Sequence, residues 1–238
     1  MSKTAHHELT RKEMKGPDKF QVAATEATRW ASQRRRQILL AGVAAFAVLA
    51  LVIAFSAYLD SQRTAAGSLL YRAIDVASGE VSSIPLPGVA RTYKTNEEKQ
   101  RAVLEAAGQV RARHGASRAA ATAALLEGDA QLALGAWDPA IAAYQTFLDK
   151  APADDALRFG GLDGLARAQE GKGDLAAAAA TYEKATQIDF FKDRATLERA
   201  RVLVKAGKKD EAQKALEALP KDSPLAVEAQ ERLARLGR

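Results

Sequence analysis

The sequence predicts an all-α chain, a single N-terminal transmembrane helix followed by an α-solenoid of about three to four helical hairpins, and three observations carry that prediction. The apolar content, 47% of 238 residues, is largely Ala and Leu, which are good helix formers, while aromatics make up 6% and β-branched runs are scarce. Residues 38–59, "ILLAGVAAFAVLALVIAFSAYL", run without one charge. A glycine, a small residue and a large side chain then recur at fixed offsets in the C-terminal half.

A chain of this length can bury the core of one good-sized domain, or of one domain plus an appendage. With no cysteine, neither a disulfide framework nor a thiolate metal site is available. The formal charge of +6 would suit nucleic acid if it were spread over a folded face. Residues 1–37, however, hold nine Lys or Arg against four acids, so most of the excess sits in that tail. The remaining charges are interspersed as on a solvated surface, which argues against a nucleic-acid partner.

Taken in order, residues 1–37 are a basic tail, predicted to be cytoplasmic, with a disordered tip at 1–16 ahead of the Gly16-Pro17 break. Lys19 to Ala31 places Phe20, Ala23, Ala24, Ala27, Trp30 and Ala31 at helical spacing. That suits an amphipathic helix on the inner membrane surface or a helical extension of the span. Residues 38–59 follow as the transmembrane helix, about 33 Å long at 1.5 Å per residue against a hydrocarbon core of about 30 Å. Arg34, Arg35 and Arg36 mark one end, and the basic flank beyond Leu59 is much weaker. The positive-inside rule therefore puts the N-terminus in the cytoplasm and the C-terminal domain outside, with Tyr58 at the far interface. A cleaved secretory signal, with "AFS" before Ala57 as a small-x-small site, and a buried core helix are the competing readings. The run is long for the first, and it lacks the polar face expected of the second.

Residues 60–116 are a helical linker and an atypical first hairpin. Ser61 to Gly79 is helical, with Leu69, Leu70, Ala73, Ile74 and Ala77 on one face, until the prolines of "SSIPLPG" at 82–88 end it. Thr95 and Asn96 offer a cap to a helix over Glu97 to Arg113, with Ala102, Val103, Ala106 and Val110 inward, and "HGAS" breaks it. From 117 to 238 the chain is repetitive. Gly135 is followed at plus five and plus nine by Ala140 and Tyr144, Gly173 by Ala178 and Tyr182, and Gly207 by Ala212 and Leu216. Seven residues before each glycine stand Gly128, Ala166 and Ala200. Antiparallel helices joined by a tight turn need a permissive turn residue, small side chains at the crossing and a large ring in the wedge between them. The glycine spacings are 38 and 34 residues, a difference placed in the loop around "DKAPADD". Asp138-Pro139 and Ser223-Pro224 each pair a capping side chain with a first-turn proline, and "SPLAVEAQERLARLG" reads as a terminal capping helix.

On these residues the chain resembles the tetratricopeptide repeat family, with departures at Gln131 and Gln169, where the family carries an aromatic, and in the missing terminal proline of repeats two and three. The resemblance implies a concave surface lined by the first helix of each pair. In that register the inward positions are Leu125, Asp129 and Leu132, then Asp163, Arg167 and Glu170, then Arg194, Leu197, Arg201 and Lys205. This groove is acidic-to-mixed at one end and basic at the other. It lacks the paired Lys and Asn with which some members clamp a C-terminal carboxylate. An extended polypeptide or a folded protein edge is the expected guest.

Catalytic chemistry is not indicated. His6, His7 and His114 have no partners spaced for a metal triad or a nucleophile-base pair, "GGLDG" at 160–164 lacks the flanks of a phosphate loop, and Asp154-Asp155 read as a helix cap. No cofactor and no metal are expected. The whole arrangement resembles the bacterial ancillary subunit of the SecYEG translocon, the YfgM-type family. This implies an inner-membrane protein working with the translocon and a periplasmic chaperone on newly exported polypeptides. Two other readings stay open: an envelope regulator whose cytoplasmic tail binds a transcription factor, and a scaffold for cell-wall or division machinery. Nothing in the sequence fixes the oligomeric state.

Overall fold

A computed structural model of the chain describes residues 19–84, 88 and 91–237. The expectations placed on residues 1–18, His6 and His7 among them, and on 85–87 lie outside the described residues. Among the described residues the structure is all-α apart from one short strand pair, and the chain divides into two compact units, Met1–Asp60 and Ser61–Arg238.

In the first unit, α1 (Lys19–Gln33) and the start of α2 (Arg35–Ser78) are separated only by Arg34. The Arg34 amide donates to the Trp30 carbonyl at 3.2 Å and the Ile38 amide to the Arg34 carbonyl at 2.9 Å, so the helical ladder passes through the junction. The Arg34 guanidinium lies over the Trp30 ring, 5.2 Å from its centroid, a cation–π arrangement. The apolar stretch of α2 is long enough to cross a membrane and none of it is buried, which removes the core-helix alternative.

The second unit begins with the C-terminal turns of α2. A polar loop follows and contains β1 (Glu80–Val81) and β2 (Thr92–Tyr93), two residues each, paired in parallel. This pair departs from an otherwise helical expectation, and its cause is local. An added Cβ at Gly79 would stand 2.6 Å from the Tyr93 ring, so only glycine lets the strands close there. The Tyr93 hydroxyl donates back to the Val76 carbonyl at 3.2 Å.

Next comes α3 (Asn96–His114), which opens on a reciprocal cap. Thr95 Oγ1 accepts from the Glu98 amide at 3.0 Å and the Glu98 carboxylate accepts from the Lys94 amide at 2.9 Å. Ala107 and Val110 of α3 are buried against Ala73 of α2 and Ala123 of α4 (Arg118–Ala133), and Val103 of α3 is buried as well.

The remaining helices are α5 (Trp137–Lys150), α6 (Arg158–Lys172), α7 (Leu175–Ala185), α8 (Lys192–Lys205), α9 (Lys209–Glu217) and α10 (Ala226–Leu236), each packed on the one before. The hairpins α4/α5, α6/α7 and α8/α9 stack so that every pair buries the apolar side of its neighbour, the geometry of a solenoid. Leu225, Leu233 and Leu236 close the end by packing α10 on the core around Leu203 and Leu216.

Three sequence expectations are corrected. The longer first spacing comes mainly from α5, at 14 residues against 11 for α7, because the loops that follow are nearly equal. Asp138 does not cap α5. Ala136 occupies that place, and Asp138 lies in the first turn, where its carboxylate faces the positive end of the helix dipole and pairs with Lys172 Nζ at 2.5 Å. Ser223-Pro224 forms the turn ahead of α10 rather than its first turn. Ser223 Oγ accepts from the Leu225 amide at 3.1 Å and donates to Asp193 at 2.5 Å.

Candidate protein-binding face

The same turn is built three times. Gly135, Gly173 and Gly207 have φ of 71°, 91° and 77°, the left-handed region that L side chains rarely adopt. Each glycine amide donates to the carbonyl three residues back, and the following amide donates to the one five back: Ala136 to Gln131, Asp174 to Gln169 and Lys208 to Leu203, all at 2.9 Å. These two hydrogen bonds satisfy two carbonyls that a helix end leaves unpaired. They also fix the angle at which each second helix leaves. Ala140, Ala178 and Ala212 sit at full burial after the turns, followed by the equally buried Tyr144, Tyr182 and Leu216.

Between hairpins the fit is ring on glycine. An added Cβ would meet Trp137 at 2.7 Å from Gly171, the Tyr144 hydroxyl at 2.6 Å from Gly164, and Phe147 at 2.5 Å from Gly161. Those three pairs follow one antiparallel register between α5 and α6. On α4, an added Cβ at Gly128 would stand 2.7 Å from the same Tyr144 ring. Three of the glycines in "RFGGLDGLARAQEGK" are therefore seats for aromatic rings, which explains a composition that is otherwise poor for a helix.

These contacts set the side chains of α4, α6 and α8 that face away from the second helices. The Tyr144 hydroxyl donates to Asp129 at 2.7 Å and the Tyr182 hydroxyl to Asp163 at 2.9 Å. Each ring thus reaches through the packed layer to hold a carboxylate on the face. Asp129 is exposed as a residue, yet the protein crowded around its carboxyl desolvates it, and this raises the carboxyl above the ordinary range. Desolvation, with the adjacent carboxylates adding to it, pushes both tyrosines far up, so they remain donors.

Further along, Arg201 of α8 grips Glu170 of α6 with two parallel bonds at 2.8 and 2.7 Å, and Lys205 reaches the same carboxylate at 3.1 Å. These bonds, Arg201 foremost, hold Glu170 at about 2. Arg201 also donates to Glu198 at 2.8 Å, and Arg194 stands 3.4 Å from Glu198. Arg167 is exposed between Asp163, 3.9 Å away, and the field of Asp129.

The structure therefore brings Asp129, Asp163, Arg167, Glu170, Arg194, Arg201 and Lys205 onto one polar face. Leu125 and Leu197 are corrected out of it, because both lie in the core beneath. Leucines at those register positions fill the space between hairpins instead of meeting a guest. Glu198, which ties Arg194 to Arg201, was missed. Its only sequence signal is the i, i+4 and i, i+3 spacing to those arginines. His114 ends α3, and among the described residues no group of three His, Cys, Asp or Glu is placed to hold a metal ion.

Two stretches, residues 122–154 and 197–238, match tetratricopeptide repeat family models. They correspond to most of α4/α5 and to most of α8 through α10. The chain is also similar to a solved structure described as "Podosopora anserina putative kinesin light chain nearly identical TPR-like repeats", at 19% identity over 58% of this chain and 77% of that one, with a TM-score of 0.49. No curated protein matches.

Proposed function

We propose that this tetratricopeptide repeat protein is a membrane-anchored scaffold of the bacterial inner membrane, its repeats in the periplasm, which holds polypeptides beside the Sec translocon and passes newly exported chains to periplasmic chaperones. The observation that carries the protein-binding part is the face shared by α4, α6 and α8. There, charged groups from three hairpins are fixed by Tyr144, Tyr182 and Arg201 in one preorganised surface. Tetratricopeptide domains are typically scaffolds without catalysis, and a preordered polar surface suits an extended or partly unfolded guest because little side-chain entropy remains to be lost on binding. The membrane side of the proposal rests on the uncharged run of residues 38–59 behind Arg34, Arg35 and Arg36.

The test is chemical crosslinking in intact membranes, followed by identification of the captured proteins, with protease digestion of spheroplasts to fix topology. Recovery of a translocon subunit, a periplasmic chaperone or a chain in export supports the proposal, as does digestion of the repeats from outside. Recovery of cell-wall or division proteins alone, or repeats resistant to external protease, sinks it.

A further inference from the structure

Helices α8, α9 and α10 enclose an open cavity of about 450 Å³. Its floor is apolar, with Val204 of α8, Leu216 of α9 and Leu236 of α10, and Val204 is more than a third exposed. Its rim carries Arg201, Lys209, Arg232 and Arg235, and among the described residues no acidic side chain lines it. Two of these cations are already fixed in place. Arg201 is held by Glu170 and Glu198, while Arg232 donates to the Leu197 carbonyl at 2.8 Å and to Glu228 at 2.6 Å. A guanidinium has five N–H donors, so each keeps donors to offer from a settled position. Arg235 stands 3.8 Å from Glu231 in full solvent, and Lys209 opens α9 at the surface.

The charge of the solenoid changes sign at this end. Residues 117–191 carry six Lys or Arg against eleven Asp or Glu, and residues 192–238 carry twelve against eight. A long polyanion such as nucleic acid, or a flat anionic bilayer, would meet Asp163, Glu170 and Glu198 on the adjoining face and be repelled. A short acidic segment avoids them. An apolar floor under a cationic rim also calls for a ligand with one greasy side chain among carboxylates.

We infer that the cavity between α8, α9 and α10 is a docking site for an acidic polypeptide segment, with one aliphatic or aromatic side chain on Val204 and Leu236, above the buried Leu216, and neighbouring carboxylates paired with the Arg201, Lys209, Arg232 and Arg235 rim. This rests on the protein-binding role proposed for the face, and adds the chemistry of the guest and the end of the solenoid where it is held.

The test uses the full chain in nanodiscs of zwitterionic lipid and a fluorescein-labelled peptide of alternating glutamate and leucine, read by polarisation against empty nanodiscs. Binding is expected to be saturable and weakened by salt, and to fall about tenfold or more in the Lys209→Glu/Arg235→Glu variant, because like charges then face the ligand. Both sites are exposed, and a glutamate in the first turn of α9 favours its helix. If that variant melts early, Lys209→Gln/Arg235→Gln serves, with a smaller drop expected. Peptides with glutamine for glutamate, or serine for leucine, are each expected to bind more weakly.

Equal binding of wild type and variant, or equal binding of the glutamine peptide, overturns the proposal. So does binding of anionic vesicles or an oligonucleotide in place of the peptide, or a variant that changes only the oligomeric state, which would assign the cavity to a second copy of the chain. If polypeptides are still captured by crosslinking in intact membranes while the peptide fails to bind, the scaffold role stands and the acidic docking site does not.

Discussion

Gly164→Ala and Gly160→Ala make the same change about one turn apart on α6, and the packing gives them opposite signs. Replacing glycine by alanine in a helix ordinarily stabilises by about 0.5–1 kcal/mol through the entropy of the unfolded chain. At Gly160 nothing lies within 4 Å of the new methyl, so that gain is kept. At Gly164 the methyl would stand 2.6 Å from the Tyr144 hydroxyl oxygen and closer still to the ring carbon bearing it. The ring has little room to shift, because Gly128 also lies against it and Asp129 holds its hydroxyl. Overpacking of this kind costs about 1–3 kcal/mol, and a pinned ring belongs at the upper end, leaving a net loss of about 2 kcal/mol. For a chain of this size that lowers the melting temperature by about 4–8 °C, read by circular dichroism on the purified protein. Combining Gly164→Ala with Tyr144→Ala should remove the penalty, so that the second alanine costs nothing in that background. A Gly164→Ala protein at least as stable as wild type would refute the ring-on-glycine packing.

Tyr182→Ala empties a fully buried site and should cost about 3–5 kcal/mol in chemical denaturation, and a loss under about 1 kcal/mol would mean the ring does not fill the wedge. Glu170 has its folded-state value depressed from 4.5 to about 2. The stability it contributes is therefore present above about pH 4.5 and lost as pH falls toward 2. Glu170→Gln should flatten the melting temperature across that window relative to wild type, and a parallel fall in both proteins would contradict the assignment. Replacing Arg34, Arg35 and Arg36 together by Gln removes the positive-inside signal. The fraction of repeats digested by protease outside spheroplasts should drop, and an unchanged fraction would deny those arginines the orienting role.

The helical repeat was legible because its parts lie close together in sequence: a glycine that must be left-handed, then a small residue and a ring at fixed offsets on the next helix. Gly173, Ala178 and Tyr182 declare a turn, a crossing and a wedge without reference to anything distant. What escaped notice depends on partners far along the chain. The glycines at 161, 164 and 171 make sense only opposite Phe147, Tyr144 and Trp137, and that mirrored spacing becomes visible once the antiparallel register of α5 and α6 is known. The Asp138 cap failed for a related reason. The doubly hydrogen-bonded turn at Gly135 sets where α5 begins, and it outranks a local side-chain preference. Leu125 and Leu197 were misplaced because helical register alone does not say how deep a position lies when a third helix packs over it.

Arg167 sits exposed on the face formed by α4, α6 and α8, and Lys184 is exposed on α7, a second helix of the stack. A photo-crosslinking side chain placed at each position in turn, in cells exporting protein, reads which surface meets a partner. Crosslinks to polypeptide from position 167 and few or none from 184 are expected if the first helices hold the guest. Equal yields from both positions, or crosslinks from 184 alone, would contradict the assignment of that face.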